Sequence, residues 1–127
     1  MTTRDLKSNI DVQTSLGPND YTASTNGSSA DLRGFESAVV AFVVGTVTDG
    51  THTPSVEESD DDSTWSSVAA ADLLGTLANL ASNTNQRVGY RGAKRYVRAV
   101  LTISGATTGV EAAAVIVRGN AAQRPVA

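Results

Sequence analysis

The segment "SAVVAFVVGTV" (37–47) constrains the fold more than any other part of the sequence. It is rich in β-branched valine, which favours strands over helices. Its apolar residues are consecutive rather than alternating, so both faces of such a strand are apolar through Val44. That pattern is typical of a central strand covered on both sides. We therefore expect a sheet core built around this segment.

A second strong strand is predicted at "KRYVRAVLTIS" (94–104), where alternation places Val97, Ala99, Leu101 and Ile103 on one face. The turn "GATTG" follows, and "VEAAAVIVRG" (110–119) is predicted to return as its hairpin partner. That last segment is also apolar on both faces, which indicates either an internal strand or contact with another subunit. Asn26-Gly27 is a turn signal. Shorter strands are expected at "THTPSVEES", "TWSSV" and "QRVGY".

About seven or eight short strands separated by turn signals predict an all-β protein: a single-domain antiparallel β-sandwich, similar to a jelly roll. At most one short helix is expected, near 69–77, where leucines have some helical spacing. The length of 127 residues predicts one domain. We assign 1–16 to an N-terminal arm or edge strand, 17–119 to the sandwich, and 120–127 to a C-terminal tail.

Aromatic residues make up only 5% of the chain, so Val, Ala, Leu and Ile must form most of the core. We expect its anchors to be Trp65, Phe42, Val97 and Leu101. Cysteine is absent, which excludes disulfides and thiolate metal sites. His52 is the only histidine and lies beside a turn, so it is expected on the surface. We predict no catalytic residue, no cofactor and no metal, and therefore no enzyme.

An acidic cluster occupies "EESDDDSTW" (57–65). Asp and Ser favour turns because their side chains bind nearby backbone amides. We interpret the stretch as the loop of a hairpin, with a partner-binding acidic surface and a calcium site as alternatives. Asp60 and Asp62 have calcium-like spacing, but the full calcium-loop pattern is not met. The candidate protein-contact acids are Glu57, Glu58, Asp60, Asp61 and Asp62.

A basic cluster follows in "QRVGYRGAKRYVR" (86–98), with Tyr90 and Tyr96 interleaved. It can be a solvated edge, a protein contact or a nucleic-acid patch. The formal net charge of −3 makes nucleic acid unlikely as a partner. In a homo-oligomer or a lattice, these bases could meet the acids of a neighbouring copy. The candidate protein-contact bases are Arg87, Arg91, Lys94, Arg95 and Arg98.

No membrane association is expected. The opening "MTTRDLKSNI" is polar and lacks the apolar region of a secretory signal. The longest apolar run, "AVVAFVV" (38–44), is far shorter than the roughly 20 residues that a membrane helix needs.

Three features together resemble small β-sandwich structural proteins of tailed bacteriophages and prophages, of the capsid decoration (cement) kind. They are a strand ending in "GTVTDGTHTP", the "EESDDDSTW" hairpin, and "GAKRYVRAVLTISG" leading to a final strand and an "RP" tail. The resemblance covers about residues 31–126, and its motifs are structural rather than catalytic.

The resemblance implies a virion protein, assembled in the host cytoplasm, that binds the head lattice and stabilises it. The implied partners are the major capsid protein or other virion proteins, and a homo-oligomer is expected. A neck or tail component is the first alternative. The second is a carbohydrate or host-surface binding module that uses Trp65 and Tyr90 as platforms. The resemblance supplies no active-site residues.

Overall fold

Two antiparallel sheets face each other in the computed structural model, which describes residues 6–121. The strands are β1 (Asp11–Tyr21), β2 (Thr25–Asn26), β3 (Ala30–Asp31), β4 (Phe35–Val47), β5 (Thr51–Ser59), β6 (Ser66–Ser67), β7 (Leu73–Leu74), β8 (Asn85–Tyr90), β9 (Tyr96–Ser104) and β10 (Val110–Ala121). This confirms the predicted β-sandwich. There are more strands than expected because four of them are only two residues long.

The first sheet, called sheet A, has the order β1-β10-β4-β8-β7. The second, sheet B, has the order β2-β9-β5-β6, and β3 also pairs with β9. The expected domain boundaries at 16/17 and 119/120 fall inside β1 and β10. The first five residues of the predicted arm and residues 122–127 of the predicted tail lie outside the described residues, so their roles stay predictions.

The core lies between the sheets and is built from alternate residues of the long strands. Phe42 is the largest fully buried side chain, and Val97 and Leu101 are also completely enclosed. The remaining inward positions of β4 and β10 are small or β-branched: Ala38, Val40, Val44, Val110, Ala112, Ala114 and Ile116. A core of such short side chains allows the two sheets to approach closely.

The predicted hairpin between β9 and β10 is wrong, because the two strands belong to different sheets. β10 pairs with β1 on one side and β4 on the other. Residues 105–109 therefore cross from one sheet to the other. Asp49, in the β4–β5 turn, holds this crossing: its carboxylate accepts hydrogen bonds from the backbone amides of Thr107, Thr108 and Gly109. Those bonds, led by that from Gly109, hold the pKa of Asp49 below its usual value.

His52 is buried rather than on the surface, which corrects the expectation from its place beside a turn. It lies on the inner face of β5 and is 1% exposed. Its Nε2 lies 2.7 Å from the backbone oxygen of Asp49, so Nε2 carries the proton and donates it. Nδ1 is buried without a hydrogen-bond partner among the described residues. The imidazole therefore acts as a packed core group.

A hydrogen-bonded contact between β1 and β9 ties the two sheets together. The hydroxyl of Ser15 donates to the backbone oxygen of Ser28 and accepts the amide of Ala99. Gly27 lies against the same contact and donates its amide to Ala99 at 2.7 Å. Gly27 therefore serves a close approach of backbones along the edge of β9, and not the tight hairpin turn expected at Asn26-Gly27.

Each sheet ends in strands that are short or irregular. β1 is one edge of sheet A, contains Pro18 and has register shifts between Thr14 and Leu16 and between Leu16 and Asn19. The other edge, β7, has two residues, as do β2, β3 and β6 at the edges of sheet B.

The segment with helical spacing forms a single 3-10 turn, Ala70–Asp72, and then β7. Leu73 packs against the core whereas Leu74 is exposed, so the expected common leucine face does not form. Nothing helical within residues 6–121 has the length and apolar character required to cross a bilayer.

Replacing Gly27 by alanine is expected to destabilise the fold. A Cβ at this position would lie 2.3 Å from the Ser15 hydroxyl oxygen and 2.7 Å from the Ala99 carbonyl oxygen. We expect Gly27→Ala to lower the free energy of unfolding by about 1–3 kcal/mol, as for other overpacked sites. Urea unfolding followed by circular dichroism measures it. Gly17→Ala is the matched control, since nothing lies within 4 Å of its added Cβ; equal losses in both variants would contradict the close approach.

Candidate interaction surface

One row of apolar residues crosses the outer face of sheet A over all five strands. Val12, Val117, Val39, Gly89 and Leu74 are successive cross-strand partners, so they lie side by side on one face. Leu74 packs over Gly89, because a Cβ on that glycine would come within 3.2 Å of the leucine Cβ.

Two further rows extend this surface along the strands. The second row is Thr14, Val115, Ala41 and Arg87, and the third is Ala113, Val43 and Asn85. The outer face formed by these three rows is called the apolar face below. Val12, Val43 and Leu74 are 53%, 50% and 56% exposed, and Arg87 is the only charged residue in the rows.

The apolar face corrects the expectation that β4 is covered on both sides. Its inner side is buried, but no described residue covers Val43 on the outer side. The apolar outer residues of β4 and β10 are thus left for contact with something outside residues 6–121. For β10 the structure combines both predicted alternatives: the strand is internal to its sheet, and one of its faces is open.

The outer face of sheet B has the opposite character. Thr51 pairs with Ser104, Thr53 with Thr102, and Glu57 with Arg98 along the β5–β9 ladder. These outward positions carry hydroxyls and charges, with buried Val100 as the apolar exception. The two outer faces of the sandwich therefore differ sharply in polarity.

Acids and bases of the two predicted clusters pair within the chain. Arg98 binds Glu57 at 2.6 Å, and both side chains are mostly buried. Lys94 binds Asp60 at 2.7 Å at a more exposed position. The Tyr90 hydroxyl donates to Glu58 at 2.7 Å. Burial and this hydrogen bond raise the pKa of Tyr90 above its usual value.

Arg95 forms a two-pronged ion pair with Asp31, an acid outside the predicted acidic cluster. Arg91 donates from Nε to the backbone oxygen of Ala71, and Arg87 makes no ion pair within residues 6–121. The five predicted bases therefore do not form one patch. A role of these charged residues in binding another protein stays a prediction.

The acidic stretch forms the loop of the β5–β6 hairpin. The Asp61 carboxylate accepts the amides of Ser63 and Thr64 and the hydroxyl of Ser59. These bonds, that from Thr64 first, hold the pKa of Asp61 below its usual value. Asp62 adopts a positive φ of 60° at the tip. The described residues contain no group of three or more acidic or histidine side chains arranged to hold a metal ion.

Trp65 lies outside the core, so its expected role as a core anchor is wrong. It is half-buried on the outer side of sheet B, just before β6. The Arg98 guanidinium lies 4.3 Å from the centre of its ring, so the pair forms a cation–π contact. The same guanidinium binds Glu57, and the tryptophan therefore packs against an ion pair.

A second charged cluster, which sequence patterns did not indicate, joins the two sheets at the edge near β1. Arg118 of β10 forms an ion pair with Asp11 of β1 and donates to the backbone oxygen of Asp31 in β3. Its guanidinium also lies 4.3 Å from the centre of the Phe35 ring. Asp11 and Arg118 are more than one hundred residues apart, so no local signal could reveal this contact.

An open groove of about 730 Å³ adjoins one end of the apolar face. Its lining includes Val39, Leu74 and Gly89 of that face, together with Phe35, Tyr90 and Lys94. The groove and the apolar face therefore form one continuous surface.

No protein-family model and no curated protein matches this chain. A solved structure titled "Structure of infectious bursal disease virus Gx strain" contains a chain to which this one is similar, with 16% sequence identity and a TM-score of 0.42. The similarity covers 92% of this chain and 34% of that chain. This protein thus spans about a third of the length of that viral chain. A likeness at this level carries no argument about function.

Replacing Trp65 by alanine is expected to leave the protein folded. The variant loses one cation–π contact and a half-buried ring, which together contribute about 1–2 kcal/mol. Phe42→Ala is the matched core variant and should cost about 3–5 kcal/mol. Urea unfolding of both, followed by circular dichroism, measures the difference. A Trp65→Ala loss as large as that of Phe42→Ala would contradict the position of Trp65 outside the core.

The ion pair of Asp31 is expected to make stability depend on acid pH. The hydrogen bonds from Arg95 lower the Asp31 pKa from 3.8 to about 2. Because the folded pKa is depressed, the stabilisation is complete above about pH 4 and is lost as the pH falls to about 2. The difference in unfolding free energy between wild type and Asp31→Asn should shrink over that range. Exposed Glu36, replaced by glutamine, is the control; a difference that stays constant with pH would contradict the assignment.

Proposed function

We propose that this protein is a non-enzymatic virion structural protein of a tailed bacteriophage or prophage, and specifically a capsid decoration protein that binds the head lattice and stabilises it. The observation that carries this proposal is the apolar face of sheet A. An uncovered apolar surface crossing five strands is the kind of surface that marks protein contact sites.

The sequence features that resemble phage structural proteins fall on the framework of the sandwich. "GTVTDGTHTP" is the crossing from β4 to β5, "EESDDDSTW" includes the β5–β6 loop, and "GAKRYVRAVLTISG" contains β9. In this chain these segments supply turns, ion pairs and core. Their conservation of shape, rather than of reactive groups, is what a binding scaffold requires.

The alternative of a carbohydrate module is disfavoured by the positions of its two expected platforms. Trp65 is stacked against Arg98, and Tyr90 is buried with its hydroxyl bound to Glu58. Neither ring offers a free exposed face for sugar stacking. His52, the only candidate base, is enclosed in the core, which likewise supports a protein without turnover.

We infer that the partners are the major capsid protein, or other virion proteins, and further copies of this chain. The location is then the virion, with assembly in the host cytoplasm. Repeated weak contacts on a lattice can combine into firm attachment through avidity. The compact sandwich supplies the rigid body that such repeated contacts need.

The protein should bind purified phage heads and raise their resistance to heat. The test mixes labelled protein with heads that lack it and with purified tails, and measures co-sedimentation and the temperature at which heads release DNA. We expect saturable binding to heads and a higher release temperature. Binding to tails instead would move the function to the alternative of a neck or tail component. Absence of the chain from purified virions would contradict the proposal altogether.

A further inference from the structure

We propose that the apolar face of sheet A binds the same face of a second copy, so that the protein is a two-fold symmetric dimer with its two A sheets stacked. The inference rests on the proposed function, because it names the partner for one of the contact surfaces of a virion protein. It leaves the polar faces of the two B sheets on opposite outer sides, available for the lattice.

The size of the apolar face fits a reversible dimer. Neighbouring strands lie about 4.8 Å apart and each residue advances roughly 3.4 Å, so three rows over five strands cover about 500 Å². Two copies together would bury about 1,000 Å², at the lower limit of specific protein interfaces. We therefore expect association in the micromolar range.

The shape and chemistry of the face suit stacking on another sheet. Val39, Ala41 and Val43 occupy the middle strand, and Val115 and Val117 lie beside them on β10. Short β-branched side chains on a pleated surface can interdigitate with an identical surface, as the inner faces of β-sandwiches do at a spacing of about 10 Å. The occupant must offer an equally extended and uncharged surface, and this chain itself carries one.

The charges around the face favour a two-fold arrangement. Arg87 lies on β8, on one side of the central strand, whereas Asp20 and Glu111 are paired across β1 and β10 on the other side. In a two-fold stack centred on β4, β8 of one copy lies over β10 of the other. Arg87 then faces the side of the partner that carries the acids, and symmetry makes the arrangement twice.

The experiment is analytical ultracentrifugation of the full chain from low to high micromolar concentration. Val43→Asp places a charge at the centre of the face, at a half-exposed position that tolerates it in the monomer. Thr102→Asp is the matched control, on an exposed position in a strand of the polar outer face of sheet B. We expect wild type and Thr102→Asp to form dimers, and Val43→Asp to raise the dissociation constant by at least roughly tenfold, since an unpaired charge would be buried.

A second variant, Val12→Lys, tests the same face with a charge of the opposite sign and at its far edge. It should weaken dimerisation too, and circular dichroism checks that each variant is folded. A monomeric wild type, or dimers that persist in folded Val43→Asp and Val12→Lys, would overturn the inference. The head-binding assay separates the two proposals: a monomer that binds heads refutes only the dimer, and a dimer that never binds heads refutes only the decoration function.

Discussion

Close packing of two sheets through short side chains is the constraint on which the rest of the structure depends. With Phe42 as its largest side chain, the core keeps the sheets near enough for direct polar contacts between them. The Ser15 hydroxyl can therefore reach Ala99, and Gly27 must stay without a side chain. Asp49 closes the same arrangement at another point by holding the crossing between β9 and β10.

Local patterns predicted the long strands but not their partners. β4 and β9 follow from β-branched content and alternation, and the acidic loop follows from the turn preferences of Asp and Ser. β10 was assigned to β9 because a five-residue turn separates them. A strand that is apolar on both faces gives no periodic signal of which sheet it joins, so its pairing with β4 and β1 depends on tertiary packing.

Trp65 and His52 show where residue preferences fail, and they do so in opposite directions. Trp65 stays outside because Arg98 covers one face of its ring, while His52 is accepted inside because a backbone oxygen satisfies one ring nitrogen. Such partners come from distant segments or from turn geometry, which residue type does not encode. The apolar face did have a signal in the sequence: the outward residues of β4 and β10 are apolar as well as the inward ones.

The edges of the sheets have a consequence for a protein that works at high local density. Exposed strand edges are templates on which further chains can add and grow into fibres. Here the one long edge is interrupted by irregular register and by Pro18, and the others end in two-residue strands. Crowded copies are thus steered away from endless backbone-to-backbone growth, and any assembly must close through side chains, with a finite number of members.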